Sequence, residues 1–259
     1  MAKVKDPWEL ALMRQSGRRL AEVSAVVREA VRPGVTTREL DEIAAREIVR
    51  LGGKSNFKGY KAGGVTPFPA TICASLNQQV VHGIPSDEPL KSGDILSIDL
   101  GMIYGGYHSD TAFTVGVGPI DPGLQRRLDE TERSLYVGIA QAKAGQRTGD
   151  IGHAIQSHIE PLGYGIVDAF VGHGIGRQMH EHPSVPNVGR PGQGTLLVEG
   201  YCLAIEPMIT TGSGDTRVLD DDWTVETVDG SLAAHFEHTI AVTPRGPEIL
   251  TVLDDPKVG

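Results

Sequence analysis

The sequence predicts an α+β fold in which two similar halves share one central antiparallel sheet. Three observations predict it: capped amphipathic helices at the start of the chain, a second helix pair repeating the first about 111 positions later (Thr37 aligned with Thr148), and long β-branched, glycine-punctuated stretches after each pair. The expected organisation is a single domain, residues 1–259, made of pseudo-symmetric halves near 1–117 and 118–259.

Asp6-Pro7-Trp8-Glu9 reads as a helix start, with a capping carboxylate, proline at the first helical position and an acid three residues after the cap. The apolar spacing of Leu10, Met13, Leu20, Val23 and Val27 predicts a helix over about 7–31, stopped by Pro33-Gly34. A second capping box, Thr36 to Glu39, opens a helix carrying Leu40, Ile43, Ile48 and Leu51 up to Gly52-Gly53. In the repeat, Gly34, Thr37, Leu40, Ala44, Ile48, Leu51 and Gly52 match Gly145, Thr148, Ile151, Ile155, Ile159, Leu162 and Gly163. The stretches from Ile72 to Val117 and from Gly165 to Val252 read as antiparallel strands and hairpins.

Composition narrows the function classes. With 259 residues, 39% apolar content and no long charge run, the chain can bury a sizeable core. A net charge of -9 offers phosphate backbones and anionic lipid no general attraction, so neither nucleic acid nor membrane is an expected partner. No apolar run reaches the ~20 residues that span a bilayer, and MAKVKDPWEL lacks a secretory core, so a cytoplasmic location is expected. Cys73 and Cys202 are too few for a disulfide framework and neither sits in a CxxC, which disfavours structural zinc.

The chemistry is concentrated in a few segments. Asp94 to Ile103, then Tyr104-Gly105-Gly106, then Tyr107 to Val115 is a strand, a glycine turn and a strand. A turn at Tyr104-Gly105 sets Asp99 directly across from Asp110, and a turn at Gly105-Gly106 makes them diagonal neighbours; both registers put the two carboxylates on one face. Such a pair calls for a neutralising cation, the alternative being a bulge that shifts the register and leaves one aspartate on a solvated edge. His173 lies among glycines in Val171-Gly172-His173-Gly174-Ile175-Gly176, and Glu206 and Glu237 stand in otherwise apolar strands, where an unpaired carboxylate is expensive. Together these five side chains form an oxygen-rich set with one nitrogen, suited to two cations bridged by shared carboxylates.

The series Val81-His82-Gly83-Ile84-Pro85, Ile98-Asp99-Leu100-Gly101, His108-Ser109-Asp110-Thr111, Gly172-His173-Gly174-Ile175-Gly176, Met179-His180-Glu181, Ile205-Glu206-Pro207-Met208 and Phe236-Glu237-His238-Thr239 resembles the type I methionine aminopeptidases in order and spacing, over nearly the whole chain. The resemblance implies the duplicated pita-bread fold, a curved antiparallel sheet covered by helices. It also implies a dinuclear centre on Asp99, Asp110, His173, Glu206 and Glu237, with Asp110 and Glu237 bridging, Asp99 serving one metal, and His173 and Glu206 the other. Glu206 then handles the proton of the attacking water, while His82 and His180 contact the substrate's amide nitrogen and carbonyl oxygen. Cys73, Met208 and Trp223 match positions of the methionine pocket, with Tyr60 and Met179 beside them. The implied cofactors are two divalent ions (cobalt, manganese, iron or zinc). The implied substrates are the N-terminal segments of nascent polypeptides whose second residue is small. A transient encounter with the ribosome and a monomeric state complete the expectation.

The chain departs from the family pattern at Lys61 to Pro69, longer than the short link expected there, where Phe57 or Phe68 could serve as aromatic neighbour of the methionine side chain. His182, beside His180, is assigned no role. The stretch from His180 to Glu206 is too short for the helical insertion of type II enzymes. Two alternatives remain: a proline-directed peptidase of the same fold, which typically carries an additional N-terminal domain, and a metal-free binding protein, which would be marked by loss of a ligand.

Overall fold

The computed structural model describes residues 3–61 and 66–253. Helix α1 (Pro7–Ala30) starts as its sequence dictates: the Asp6 carboxylate accepts from the N–H groups of Trp8 and Glu9, and Glu9 returns the contact to the Asp6 N–H. It ends one residue before the expected limit, because Val31 has already turned extended ahead of Pro33. Helix α2 (Thr37–Arg50) begins with the Thr36–Glu39 capping box. The second pair, α3 (Pro122–Ile139) and α4 (Thr148–Ile159), repeats the Asp-Pro start at Asp121-Pro122, and Thr148 is the first residue of α4 as Thr37 is of α2.

Between the pairs run β1 (Lys54–Ser55), β2 (Ile72–Leu76), β3 (Gln79–Val81), β4 (Ile95–Tyr104) and β5 (Tyr107–Gly116). After them come β6 (Gly165–Ile166), β7 (Gly172–Gly174), β8 (Glu181–Val185), β9 (Cys202–Ile205), β10 (Met208–Thr210), β11 (Thr216–Val218), β12 (Val225–Thr227), β13 (Ala233–His235), β14 (Glu237–Thr243) and β15 (Gly246–Ile249). The main sheet is antiparallel in order β1-β4-β5-β14-β9-β7-β8, with β2 also on β4 and β15 on β14. Two three-stranded sheets, β13-β10-β6 and β11-β12-β3, flank it. Helices cover the apolar side: Leu20, Val23, Leu40, Ile48, Leu135, Ile151 and Ile155 pack with Ile98, Leu100, Leu203 and Ile240 in one buried cluster. A sheet roofed by helices on one face leaves the other face for the site. Among the described residues no helix is long and apolar enough to cross a membrane.

A candidate metal centre and its pocket

The hairpin of β4 and β5 resolves the register. Tyr104 pairs with Tyr107, so the turn is Gly105-Gly106, with φ of 58° and 82° that glycine adopts without penalty. Asp99 therefore faces Ala112 and Asp110 faces Gly101, which makes the two carboxylates diagonal neighbours on one face. From β5 the sheet continues to β14, where Glu237 pairs with Ala112, then to β9, which delivers Glu206 just past its end, then to β7, where His173 pairs with Ala204. Five consecutive strands of the sheet thus each contribute one of the five expected donors. A Cβ on Gly172 would lie 2.4 Å from the Ala204 carbonyl oxygen and one on Gly174 2.2 Å from that of His182, so only glycines let His173 approach this closely.

Donor atoms of Asp110, His173 and Glu237 lie within 4.8 Å of one another, and His173 Nε2 is 3.6 Å from Glu206 Oε1. Burial pushes Asp99 up to about 7. Burial, then the charge of Asp99 and of the other acids, drives Asp110, Glu206 and Glu237 well above the ordinary carboxylate range. His173 goes the other way, down to about 3, chiefly because burial disfavours the imidazolium and then because His180 adds like charge. Its Nδ1 lies 2.9 Å from the Gly174 carbonyl oxygen; donation there leaves Nε2 with a lone pair facing the cavity, the tautomer a metal ligand needs. Asp99 Oδ1 and Asp110 Oδ1 are buried with no hydrogen-bond partner among the described residues. Four desolvated carboxyls, orphaned oxygens and one neutral imidazole fit a hard or borderline divalent cation.

All five line a cavity of about 190 Å³. The rest of its lining is largely apolar: Phe57, Phe68, Cys73, Met179 and Trp223 pack as one cluster, with Tyr60 at its edge and Cys73 paired across the strands with Asp99. Phe68 stands edge-on to Trp223 with centroids 5.2 Å apart. Of the extra stretch 61–69, residues 62–65 lie outside the described residues. Its far end folds back through the bonds Gly59 N–H to Phe68 O and Phe68 N–H to Tyr60 O, which brings Phe68 into the cluster, while Trp223 Nε1 donates to Thr66 O.

His82 and His180 both line the cavity. His82 has a left-handed backbone, φ 59°, and stands edge-on to Phe170 and Trp223. His180 Nδ1 lies 2.8 Å from the Tyr60 hydroxyl. His182 is exposed and outside the cavity. The expected pocket role of Met208 needs correction. The chain leaves the main sheet at Glu206-Pro207 and enters the small β10 sheet, so Met208 is fully buried among Val80, Val81, Val167, Val225 and Ala233, away from the cavity. Sequence reasoning missed Phe170, whose signal was an aromatic three residues before His173, and His235, a histidine two residues before Glu237.

The family model for metallopeptidase family M24 matches residues 11–244. The chain belongs to this family. Within it, the chain is 48% identical to the methionine aminopeptidase of Clostridium perfringens over 98% of its own length and 100% of that protein's. The crystal structure of methionine aminopeptidase from Rickettsia prowazekii superposes with a TM-score of 0.94 at 40% identity, covering 97% of this chain and 100% of that one. Prolidase from Pyrococcus furiosus matches 97% of this chain but 66% of its own, with a TM-score of 0.75 at 20% identity, and shares the pita-bread fold alone. The M24 metallopeptidases use divalent metal, which agrees with the donor set found here.

Proposed function

We propose that this chain is a methionine aminopeptidase, a metal-dependent hydrolase removing an N-terminal methionine from new polypeptides whose second residue is small. One observation carries the reading. Buried carboxylates and a neutral imidazole line the same cavity as a cluster of phenylalanines, tryptophan, cysteine and methionine. The cluster offers a thioether the polarizable, apolar contacts it prefers.

On this reading Asp99, Asp110, His173, Glu206 and Glu237 hold two divalent ions. Asp110 and Glu237 stand on the inner strands β5 and β14, with Asp99 on one flank and Glu206 and His173 on the other, so carboxylates from both sides would be in reach of bound ions. The bound ions supply Lewis acidity, which polarises the scissile carbonyl and makes water a nucleophile near neutral pH. Cobalt, manganese, iron and zinc all suit such a shell. The residues do the rest. Glu206 takes the proton of the attacking water and passes it to the leaving amine. With the Tyr60 hydroxyl donating to Nδ1, His180 keeps its Nε2 proton and donates it to the carbonyl oxygen as negative charge develops there. Burial holds His82 down to about 4, so it meets the scissile amide as a neutral imidazole. Cys73, Met179, Trp223, Phe57 and Phe68 enclose the methionine side chain.

Release assays on Met-Ala-Ser and Ala-Pro-Ala test the assignment. Methionine should be released from the first, chelation should abolish it, and added divalent metal should restore it. Cleavage of Ala-Pro-Ala instead, or methionine release indifferent to chelator, would overturn it.

A further inference from the structure

We propose that His235 is a positioning residue, whose Nε2–H holds the Glu206 carboxylate through Oε2 so that Oε1 stays presented to the metal side. The inference rests on the reading of Glu206 as a metal ligand.

His235 closes β13 and is 1% exposed. Its backbone is fixed by one hydroxyl: the His235 N–H donates to Thr114 Oγ1 at 2.9 Å, and Thr114 Oγ1 donates back to the His235 carbonyl oxygen at 2.9 Å. Thr114 Oγ1 is also 2.8 Å from Ser97 Oγ, and since its own proton is committed, Ser97 is the donor. The ring is therefore carried on a backbone with little freedom to move. Its Nε2 is buried with no hydrogen-bond partner among the described residues, a condition that asks for an explanation in any protein interior.

The acidic atom it approaches is Glu206 Oε2, at 3.9 Å. The other oxygen of that carboxylate lies 3.6 Å from His173 Nε2. Glu206 thus stands between two imidazoles, one on each oxygen. They are not equivalent. With its Nδ1 proton given to the Gly174 carbonyl, His173 offers Glu206 a lone pair and no N–H. His235 is the imidazole of the two that can donate. The 3.9 Å gap exceeds a hydrogen bond, so the proposed contact requires the Glu206 side chain to rotate toward His235. The backbone of Glu206 is held separately, its carbonyl oxygen accepting from Asn187 Nδ2 at 3.1 Å, so that rotation moves the carboxylate alone. A residue kept only for packing would fill this space without a nitrogen that needs a partner.

Calorimetric titration of the metal-free protein with manganese, alongside kcat and KM on Met-Ala-Ser, tests the proposal in His235→Leu, His235→Asn and His235→Gln. Outer-shell partners of metal ligands typically contribute about 10- to 100-fold in affinity or activity. His235→Leu, and His235→Asn with its shorter reach, should each weaken manganese binding by about 10-fold or more and lower kcat with KM changed far less. His235→Gln, whose amide N–H extends in the same direction, should recover most of both. Melting of the metal-free variants identifies any that fail to fold, and the remaining ones then decide. Wild-type affinity and kcat in His235→Leu or His235→Asn would overturn the proposal, as would a folded His235→Gln no better than they are. Affinity is read without turnover, so protein that binds manganese but releases no methionine would sink the proposed function while the affinity ratios still judge His235.

Discussion

His82 shows how much chemistry a single backbone angle can decide. A non-glycine residue at φ 59° is uncommon, and histidine is among the few that tolerate it. Here the unusual angle turns the ring into the cavity between Phe170 and Trp223. Burial, and then the like charge of His180, lowers its proton affinity to about 4, so the ring is neutral wherever the enzyme would work. On the proposed reading, a neutral ring in that place contributes to the transition state more than to ground-state binding. His82→Ala should therefore lower kcat by about 10²-fold and leave KM within a few-fold. Steady-state kinetics on Met-Ala-Ser checks this; a rise in KM with kcat intact would make His82 a binding residue only.

At the scale of elements, the centre depends on how β5 is fixed to β14. The Asp110 N–H donates to Thr239 Oγ1 at 2.9 Å, and that hydroxyl donates back to the Asp110 carbonyl oxygen at 2.8 Å, with Thr239 wholly buried. Thr239→Val keeps the shape and orphans both backbone groups, at about 1–3 kcal/mol each. Urea denaturation should show a loss of about 2–6 kcal/mol with the m-value unchanged; a loss below about 0.5 kcal/mol would mean the clamp adds little. This clamp is one of the features the sequence concealed. Helix starts were legible because Asp6-Pro7 and Thr36 to Glu39 are local signals, and the shared face of Asp99 and Asp110 was legible because a strand alternates with period two. The register was not, since two turns satisfied the same residues and only the folded pairing of Tyr104 with Tyr107 selects one. Strand order was hidden for the same reason: that Glu237 comes to lie beside Asp110 is a contact between distant segments. Met208 was expected at the pocket from its place in the family motif, and nothing local in the sequence shows that the chain changes sheets at Glu206-Pro207.

Across the whole molecule, the N-terminal segment is tied to the far edge of the main sheet by one buried ion pair. Lys5 Nζ lies 2.8 Å from Glu181 Oε2, with both side chains about 5% exposed or less, and the Lys5 N–H donates to the Gly200 carbonyl oxygen. Glu181 opens β8, directly after Met179 and His180, and its Oε1 accepts from the Gln178 N–H. The pair therefore anchors the segment that carries Met179 and His180, both of which line the cavity. Burial alone would raise the proton affinity of Glu181, but the Lys5 hydrogen bond and charge, helped by the Gln178 N–H, outweigh it and hold the carboxyl below its ordinary value. A carboxylate depressed in the folded state stabilises the protein at pH above its unfolded value of about 4.3, and that contribution disappears as pH falls through the lower folded value. Lys5→Met removes the cation and leaves Glu181 buried and charged, which typically costs about 3–5 kcal/mol. Without Lys5 the burial penalty has lost its main opponent and only weaker help such as the Gln178 N–H remains, so protonating Glu181 relieves the variant while it harms the wild type. The stability gap between them, measured by urea denaturation, should be about 3 kcal/mol at pH 7 and should narrow as pH drops below about 4.3. A gap of the same size at both pH values would show that Lys5 contributes through the packing of its aliphatic stem, with no share for the ion pair.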